Sequence, residues 1–132
     1  VMRLVGSEMC IRDRLITCLP GPTAFIPALV MSGLPSDSFI FEGFLPKKKG
    51  RKSKLNEISK NTKTTILYES PFRIIKTLSD MKDTIGSDRK IAVVREISKI
   101  YEEVFRGTID EAILEYNERT IKGEFVICID KA

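Results

Sequence analysis

Short runs of β-branched and aromatic residues alternate along this chain with helical stretches, and a proline or glycine punctuates nearly every junction. Leu15 to Leu19 reads as the end of a buried strand, halted by Pro20-Gly21-Pro22. Pro22 suits the first turn of a helix, which Ala24, Phe25, Ala28, Leu29 and Met31 make apolar on nearly all sides. Gly33 tolerates a left-handed cap and Pro35 blocks continuation, so that helix ends there. Strands are expected at Phe39 to Phe44, Thr64 to Tyr68, Lys90 to Ile97, Tyr101 to Phe105 (broken by Gly107) and Gly123 to Asp130. The last is nearly continuous in Phe125, Val126, Ile127 and Ile129, the pattern of a strand buried on both faces. A polar helix is expected from Arg51 to Ser59. Another starts with Ser70 as N-cap and Pro71 at the first helical position, carries a face of Phe72, Ile74, Ile75, Leu78, Met81 and Ile85, and closes at Gly86. Thr108 and Glu111 form a capping box for a helix from Ile109 to Tyr116. The order implies an α/β layered domain with flanking helices and a mixed, mostly parallel sheet. One antiparallel hairpin is expected where the strands near Ile91 and Tyr101 follow each other without a helix between.

A length of 132 residues suits one domain of ordinary size with a real apolar core. Histidine is absent, which removes Ser-His and Cys-His dyads and every His-built metal site. Cys10, Cys18 and Cys128 are far apart and never in a C-x-x-C arrangement, so neither a disulfide framework nor a zinc site is indicated. No metal is expected, and a reducing cytoplasm is the natural setting. No apolar run approaches the ~20 residues of a membrane span, so no membrane association is expected either.

The net charge of +4 conceals an uneven distribution. Lys47, Lys48, Lys49, Arg51, Lys52, Lys54, Lys60 and Lys63 share one stretch with a single acid, Glu57, giving it +7 and leaving −3 for the rest. Such a segment attracts polyanions through phosphate contacts that release counterions. The alternative is a solvated lysine-rich loop. Residues 46–54 read as a mobile basic loop between Pro46 and a helix, interrupted by Gly50. It has no interleaved aromatics, so it supports contact with a nucleic-acid backbone and not base stacking.

Val1 to Arg14 fits none of this pattern. Ser7-Glu8-Met9-Cys10-Ile11-Arg12-Asp13-Arg14 resembles a string that arises when sequencing-adapter DNA is translated. Residues 1–14 are therefore expected to be non-native, with Leu15 an interior residue of a longer protein.

Ligands in α/β sheets collect beyond the carboxyl ends of strands. Four loops belong there: Pro20 to Ala24, Phe41 to Pro46, Tyr68 to Arg73 and Arg95 to Lys99. Capping explains Ser70-Pro71, and an ion pair at a strand edge is the structural alternative for Arg95 and Glu96. Glu42 and Glu69 are more informative, because a carboxylate directly after an apolar strand is costly to bury without a partner. There is no G-x-x-x-x-G-K-[ST] and no G-x-G-x-x-G, so a nucleoside triphosphate or standard dinucleotide site is not supported.

Read in order, the loops are Leu-Pro-Gly-Pro-Thr-Ala from Leu19, Ser-Gly-Leu-Pro-Ser-Asp from Ser32, Phe-Glu-Gly-Phe-Leu-Pro from Phe41 and Lys-Lys-Gly-Arg from Lys48. Tyr-Glu-Ser-Pro-Phe-Arg from Tyr68, Val-Arg-Glu-Ile-Ser-Lys from Val94 and Lys-Gly-Glu-Phe-Val from Lys122 complete the series. It resembles the bacterial small-subunit (16S) ribosomal RNA cytidine 2′-O-methyltransferase family, a branch of the tetrapyrrole methylase superfamily, from Leu15 to about Asp130. The resemblance implies a two-domain α/β enzyme with S-adenosyl-L-methionine in the cleft between domains. Residues 15–35 would end the first, cofactor domain, and residues 36–132 would form the second. The first domain's Gly- and Asp-containing loop and the family's small C-terminal extension have no counterpart here.

By position, Pro22, Thr23, Ala24, Tyr68, Glu69, Ser70, Gly123 and Glu124 would approach the cofactor. Glu69 and Glu96 are the implied catalytic candidates, as proton acceptors or positioners of a ribose hydroxyl. Arg73, Arg95 and Lys99 would hold phosphate, and Lys47, Lys48, Lys49, Arg51, Lys52 and Lys54 would grip the RNA backbone. One departure is Phe72, where many relatives carry histidine, which makes an essential base there unsupported. The implied partners are ribosomal RNA and the small ribosomal subunit, with a homodimer as in the superfamily. A tetrapyrrole methyltransferase fragment and a non-enzymatic RNA-binding module are the competing readings.

Overall fold

The computed structural model describes residues 15–132; the segment 1–14, set apart above as non-native, lies outside the described residues. Nine elements follow in order: α1 (Phe25–Ser32), β1 (Phe39–Phe44), α2 (Arg51–Lys60), β2 (Thr64–Glu69), α3 (Ile74–Ile85), β3 (Lys90–Arg95), β4 (Glu103–Thr108), α4 (Ile109–Asn117) and β5 (Phe125–Ile129). The five strands form one sheet in the order β1-β2-β5-β3-β4.

The sheet is mixed, but the expected parallel majority is not there. β1 pairs with β2 in parallel, whereas β2–β5, β3–β5 and β3–β4 are antiparallel. The cause is one insertion. β1, β2 and β3 all run the same way, as helical crossovers demand. β5 runs back between β2 and β3, with Phe125 opposite both Glu69 and Arg95, and so separates two strands that would otherwise pair in parallel.

Alternating side chains divide the core into two layers. Leu67, Ile91, Val93, Phe125, Ile127 and Ile129 face α2, α3 and α4, whose Leu55, Ile58, Ile74, Leu78, Met81, Ile109, Ala112 and Tyr116 complete a buried cluster. On the opposite face Ile66, Ala92, Val94, Val126 and Cys128 meet Ala28 and Leu29 of α1 as buried apolar partners, and the buried Ser32 of α1 lies beside Cys128. All five residues of β5 are buried, as its unbroken apolar run requires.

Several boundaries differ from the expectation. Leu15 to Leu19 is not a strand: residues 15–23 are irregular and exposed, because none of the five strands offers their backbone a ladder partner. Pro22 lies outside α1, which begins after Ala24 without a side-chain cap. Ser70 and Pro71 do not open α3. The Ser70 N–H donates to the Glu69 carboxylate, the chain makes a turn in which the Arg73 N–H donates to the Ser70 carbonyl, and the helix starts at Ile74. Phe72 consequently leaves the helical face and is 95% exposed. β3 stops at Arg95, since Glu96 and Ser98 take left-handed backbone angles. Gly107 sits inside β4 and does not break it; a Cβ there would fall 2.9 Å from the Phe105 ring. The Thr108–Glu111 capping box of α4 is present in both directions, and Gly33 caps α1 in the left-handed conformation. No described helix is long and apolar enough to cross a membrane.

Candidate active site

β1, β2 and β3 end, and β5 begins, at the same edge of the sheet, because β5 alone among these four runs in the opposite direction. A cavity of about 420 Å³ opens there. Ala24 enters from the start of α1, Phe44 from the end of β1, and Tyr68 to Pro71 from the end of β2. Ile97 follows β3, and Glu124, Phe125 and Val126 lead into β5. Aromatic rings stiffen one wall: Tyr68 meets Phe41 and Phe44 edge-on, at centroid separations of 5.1 and 5.7 Å. No buried side-chain polar atom among the described residues lacks a hydrogen-bond partner. Polar recognition in this cavity therefore falls to backbone groups and half-exposed side chains.

Of the residues that sequence reading assigned to the cofactor, Ala24, Tyr68, Glu69, Ser70 and Glu124 line the cavity. Pro22 and Thr23 do not; they belong to the exposed irregular segment before α1. Gly123 stands behind the wall with φ +95°, and a Cβ there would fall 2.3 Å from Glu96 Oε1. Its glycine identity serves that close approach. Phe44, Pro71, Ile97, Phe125 and Val126 were not assigned to the cofactor. Their signal was position alone, apolar residues at strand ends beside the named loops.

Neither catalytic candidate has the geometry of a free proton acceptor. Glu69 is 4% exposed, with Oε1 accepting from the Ser70 N–H at 2.9 Å and Oε2 from the Thr77 hydroxyl at 2.5 Å. Its carboxylate faces α3, on the side of β2 away from Tyr68. Glu96 accepts from the Glu124 N–H at 2.9 Å and pairs with Lys99 at 3.2 Å. The Glu124 amide first, and Lys99 second, hold the Glu96 carboxyl below its usual range, which weakens it as a base. Glu96 instead clasps the loop after β3 to the loop before β5.

The basic residues separate into free and committed groups. Lys47, Lys48 and Lys49 are exposed on the turn after β1, and Lys52 is exposed on α2. Lys47, Lys48 and Lys52 border a groove of about 590 Å³ between α2 and α3, to which Lys76, Asp80 and Asp83 also contribute. The expected loop 46–54 is thus half helix, since α2 begins at Arg51. Arg51 is no surface cation: it is 6% exposed, and its guanidinium donates to Asp80, the Pro46 carbonyl and Thr77. Lys54 lies 2.8 Å from Glu42 and 3.2 Å from Glu57, whose hydrogen bonds raise its pKa. Arg95 spends its guanidinium on the carbonyls of Lys122 and Tyr101. Lys99 pairs with Glu124 and Glu96, which raise its pKa, while Arg73 is a half-buried residue at the N-terminus of α3.

The layered α/β fold is shared with solved methyltransferases. The methyltransferase CobJ superposes with a TM-score of 0.66 at 18% identity, over 91% of this chain and 52% of that one. The cobalt precorrin-4 methyltransferase CbiF gives 0.63 at 17% identity, over 92% and 55%. Residues 4–113 match the family of tetrapyrrole (corrin/porphyrin) methylases, and the chain belongs to that family. The matched stretch starts inside the segment 1–14.

Among curated relatives, the ribosomal RNA small subunit methyltransferase I of Vibrio cholerae is 48% identical over 114 residues, covering 84% of this chain and 40% of the relative. The protein of that name from Synechocystis is 44% identical over 112 residues, with the same coverage of 84% and 40%. That from Thermotoga maritima is 37% identical over 123 residues, covering 92% and 55%. These names agree with the branch to which the loop motifs point. The chain spans roughly half the length of these relatives, or less.

Proposed function

We propose that the chain is part of an S-adenosyl-L-methionine-dependent methyltransferase that acts on a ribose 2′-hydroxyl of small-subunit ribosomal RNA. The observation that carries this reading is the 37–48% identity to relatives named ribosomal RNA small subunit methyltransferase I. The geometry supports it, since Phe44 lines the cavity and the exposed lysines 47–49 follow it within the same turn. Ligand and polyanion would then meet at one end of the molecule. The domain division at residues 35–36, a cytoplasmic setting and a homodimer belong to the same proposal.

The cavity fits such a cofactor in size, lying within the usual range of about 300–1,000 Å³ for ligand sites, and in its mainly apolar, aromatic wall. When bound, S-adenosyl-L-methionine supplies an electrophilic methyl group on its sulfonium. Tyr68, Phe44 and Ala24 offer apolar surface, while backbone groups near Ser70 and Glu124 offer polar contacts. Glu96 and Gly123 hold the two loops beside the entrance. Lys47, Lys48, Lys49 and Lys52 hold RNA phosphates, and orientation of the hydroxyl supplies much of the rate.

The test uses the full-length protein, labelled cofactor and small-subunit ribosomal RNA. Methyl transfer to a ribose is expected. Replacing Lys47, Lys48 and Lys49 with alanine should weaken RNA binding and flatten its salt dependence by about 0.7–0.9 log unit for each phosphate no longer neutralised. Transfer to no ribosomal RNA refutes the proposal. Full activity without the lysines, on a small tetrapyrrole, favours the competing methyltransferase reading. RNA binding without any cofactor dependence favours a non-enzymatic module.

A further inference from the structure

Glu69 is a buried charge whose carboxylate points away from the aromatic wall of the cavity that its own backbone helps to line. Its Oε2 accepts the Thr77 proton at 2.5 Å, and Thr77 Oγ1 in turn accepts from Arg51 Nη2 at 2.9 Å. A hydroxyl has one proton, so donation to Glu69 leaves only its lone pairs for Arg51. The order is therefore fixed, from cation through hydroxyl to anion. Arg51 also reaches the Pro46 carbonyl at 3.1 Å and Asp80 at 2.9 Å, and Pro46 immediately precedes the lysine turn. At the far end, Glu69 Oε1 receives the Ser70 N–H, where the chain bends along the cavity wall. Thr77 is wholly buried and Arg51 and Glu69 nearly so, which makes each of these hydrogen bonds costly to lose.

We propose that Arg51, Thr77 and Glu69 form a positioning relay that locks the start of the basic turn and the Glu69–Ser70 bend into one unit. The relay presents the cavity wall in its ligand-binding shape. In its role at the cofactor cavity this rests on the function proposed above; its geometry does not. Arg51 is then a positioning residue and does not hold phosphate. Lysine cannot replace it, because a single ammonium lacks the planar fork that reaches three separate acceptors.

The test compares Thr77→Val, which keeps the shape and removes the hydroxyl, with Thr77→Ser, which keeps the hydroxyl. Arg51→Lys serves as a second break in the relay. Exchange of the Ser70 amide is followed in this chain, and S-adenosylhomocysteine affinity and RNA binding are followed in the full-length protein. Thr77→Val and Arg51→Lys should each speed Ser70 exchange and weaken S-adenosylhomocysteine binding, both by about tenfold, as loss of a buried partner implies. Thr77→Ser should stay within about twofold of the parent, and the salt slope of RNA binding should not change in any variant. Unchanged Ser70 exchange in a folded Thr77→Val or Arg51→Lys protein overturns the relay. A salt slope that falls by about one unit in Arg51→Gln, which removes the charge, overturns the assignment of Arg51, since it means that the guanidinium had been neutralising a phosphate. Faster Ser70 exchange with S-adenosylhomocysteine affinity retained overturns the link to the cavity. If the unaltered full-length protein binds no S-adenosylhomocysteine, the cofactor reading fails, and Ser70 exchange alone decides the relay.

Discussion

On one face of the sheet three helices bury a large cluster centred on Leu67, Leu78, Ile91 and Ile127. On the other face α1, eight residues long, seals a smaller cluster around Ala28, Leu29, Ala92 and Cys128, while its own Ile26 and Val30 remain exposed. Both faces are nevertheless dry at the sheet. Burial pushes the Tyr116 hydroxyl of the first face, and the Cys128 thiol of the second, up to about 12. The difference lies in how far the cover extends. Ala24, Tyr68, Ile97 and Val126 of the thin face all appear again in the lining of the cavity. The cavity opens where the single helix runs out, and the thick face keeps the strands that frame it in register.

The comparison is best broken by cutting into each face in turn. Leu78→Ala, in the thick layer, should cost about 3–5 kcal/mol in urea denaturation, since three helices cannot easily collapse into the gap. Leu29→Ala, in the thin layer, should cost about 2 kcal/mol, because one short helix can shift to fill its cavity. A Leu29 variant as damaging as the Leu78 variant would mean that α1 is as firmly built in as α3. Gly123→Ala places a Cβ against Glu96 at a left-handed backbone angle, and should cost about 1–3 kcal/mol while loosening the loops beside the cavity. Amide exchange at Glu124, whose N–H bonds to Glu96, reads the loosening directly.

A pH titration sharpens the claim that both faces are dry. The folded protein keeps the Cys128 and Tyr116 protons at pH values where an unfolded chain has begun to lose them. Stability from these groups is thus complete below the ordinary values of 9.0 and 10.0 and declines as pH rises toward 12. Cys128→Ala should remove the part of the decline that starts near pH 9; an unchanged curve means the thin face admits water. Glu96 acts in the opposite sense. Its lowered pKa means that the stability from the loop clasp is complete above the ordinary value of 4.5 and is lost as pH falls through the lower value of the folded protein, where the carboxylate itself is protonated. The smallest effect belongs to Val30→Ser, on the exposed side of α1, within about 0.5 kcal/mol by thermal unfolding.

Much of this structure was legible in local chemistry. The capping box at Thr108, the left-handed cap at Gly33, the β3–β4 hairpin and the doubly buried β5 each follow from residues within a few positions of one another. Leu15 to Leu19 failed the same logic, because an apolar run becomes a strand only beside a strand that will pair with it. Ser70-Pro71 failed for a different reason: the neighbouring Glu69 carboxylate takes the Ser70 amide, and a turn replaces the first turn of helix. At the cavity the resemblance found five lining residues and missed the apolar ones that follow from strand direction. Among the cations it could not separate Lys47 to Lys49, which are exposed, from Arg51, whose partners Thr77 and Asp80 lie on another helix.

The sequence by itself determined the alternation of elements, their caps and stops, the concentration of positive charge after β1 and the family to which the motifs belong. These rest on hydrophobic period, backbone preference and charge along a contiguous stretch of chain. Only the tertiary structure decided that β5 runs back between β2 and β3, that Glu69 faces α3, and that Arg51 is buried. Each of those outcomes depends on groups that are distant in sequence and become neighbours only when the sheet closes around its last strand.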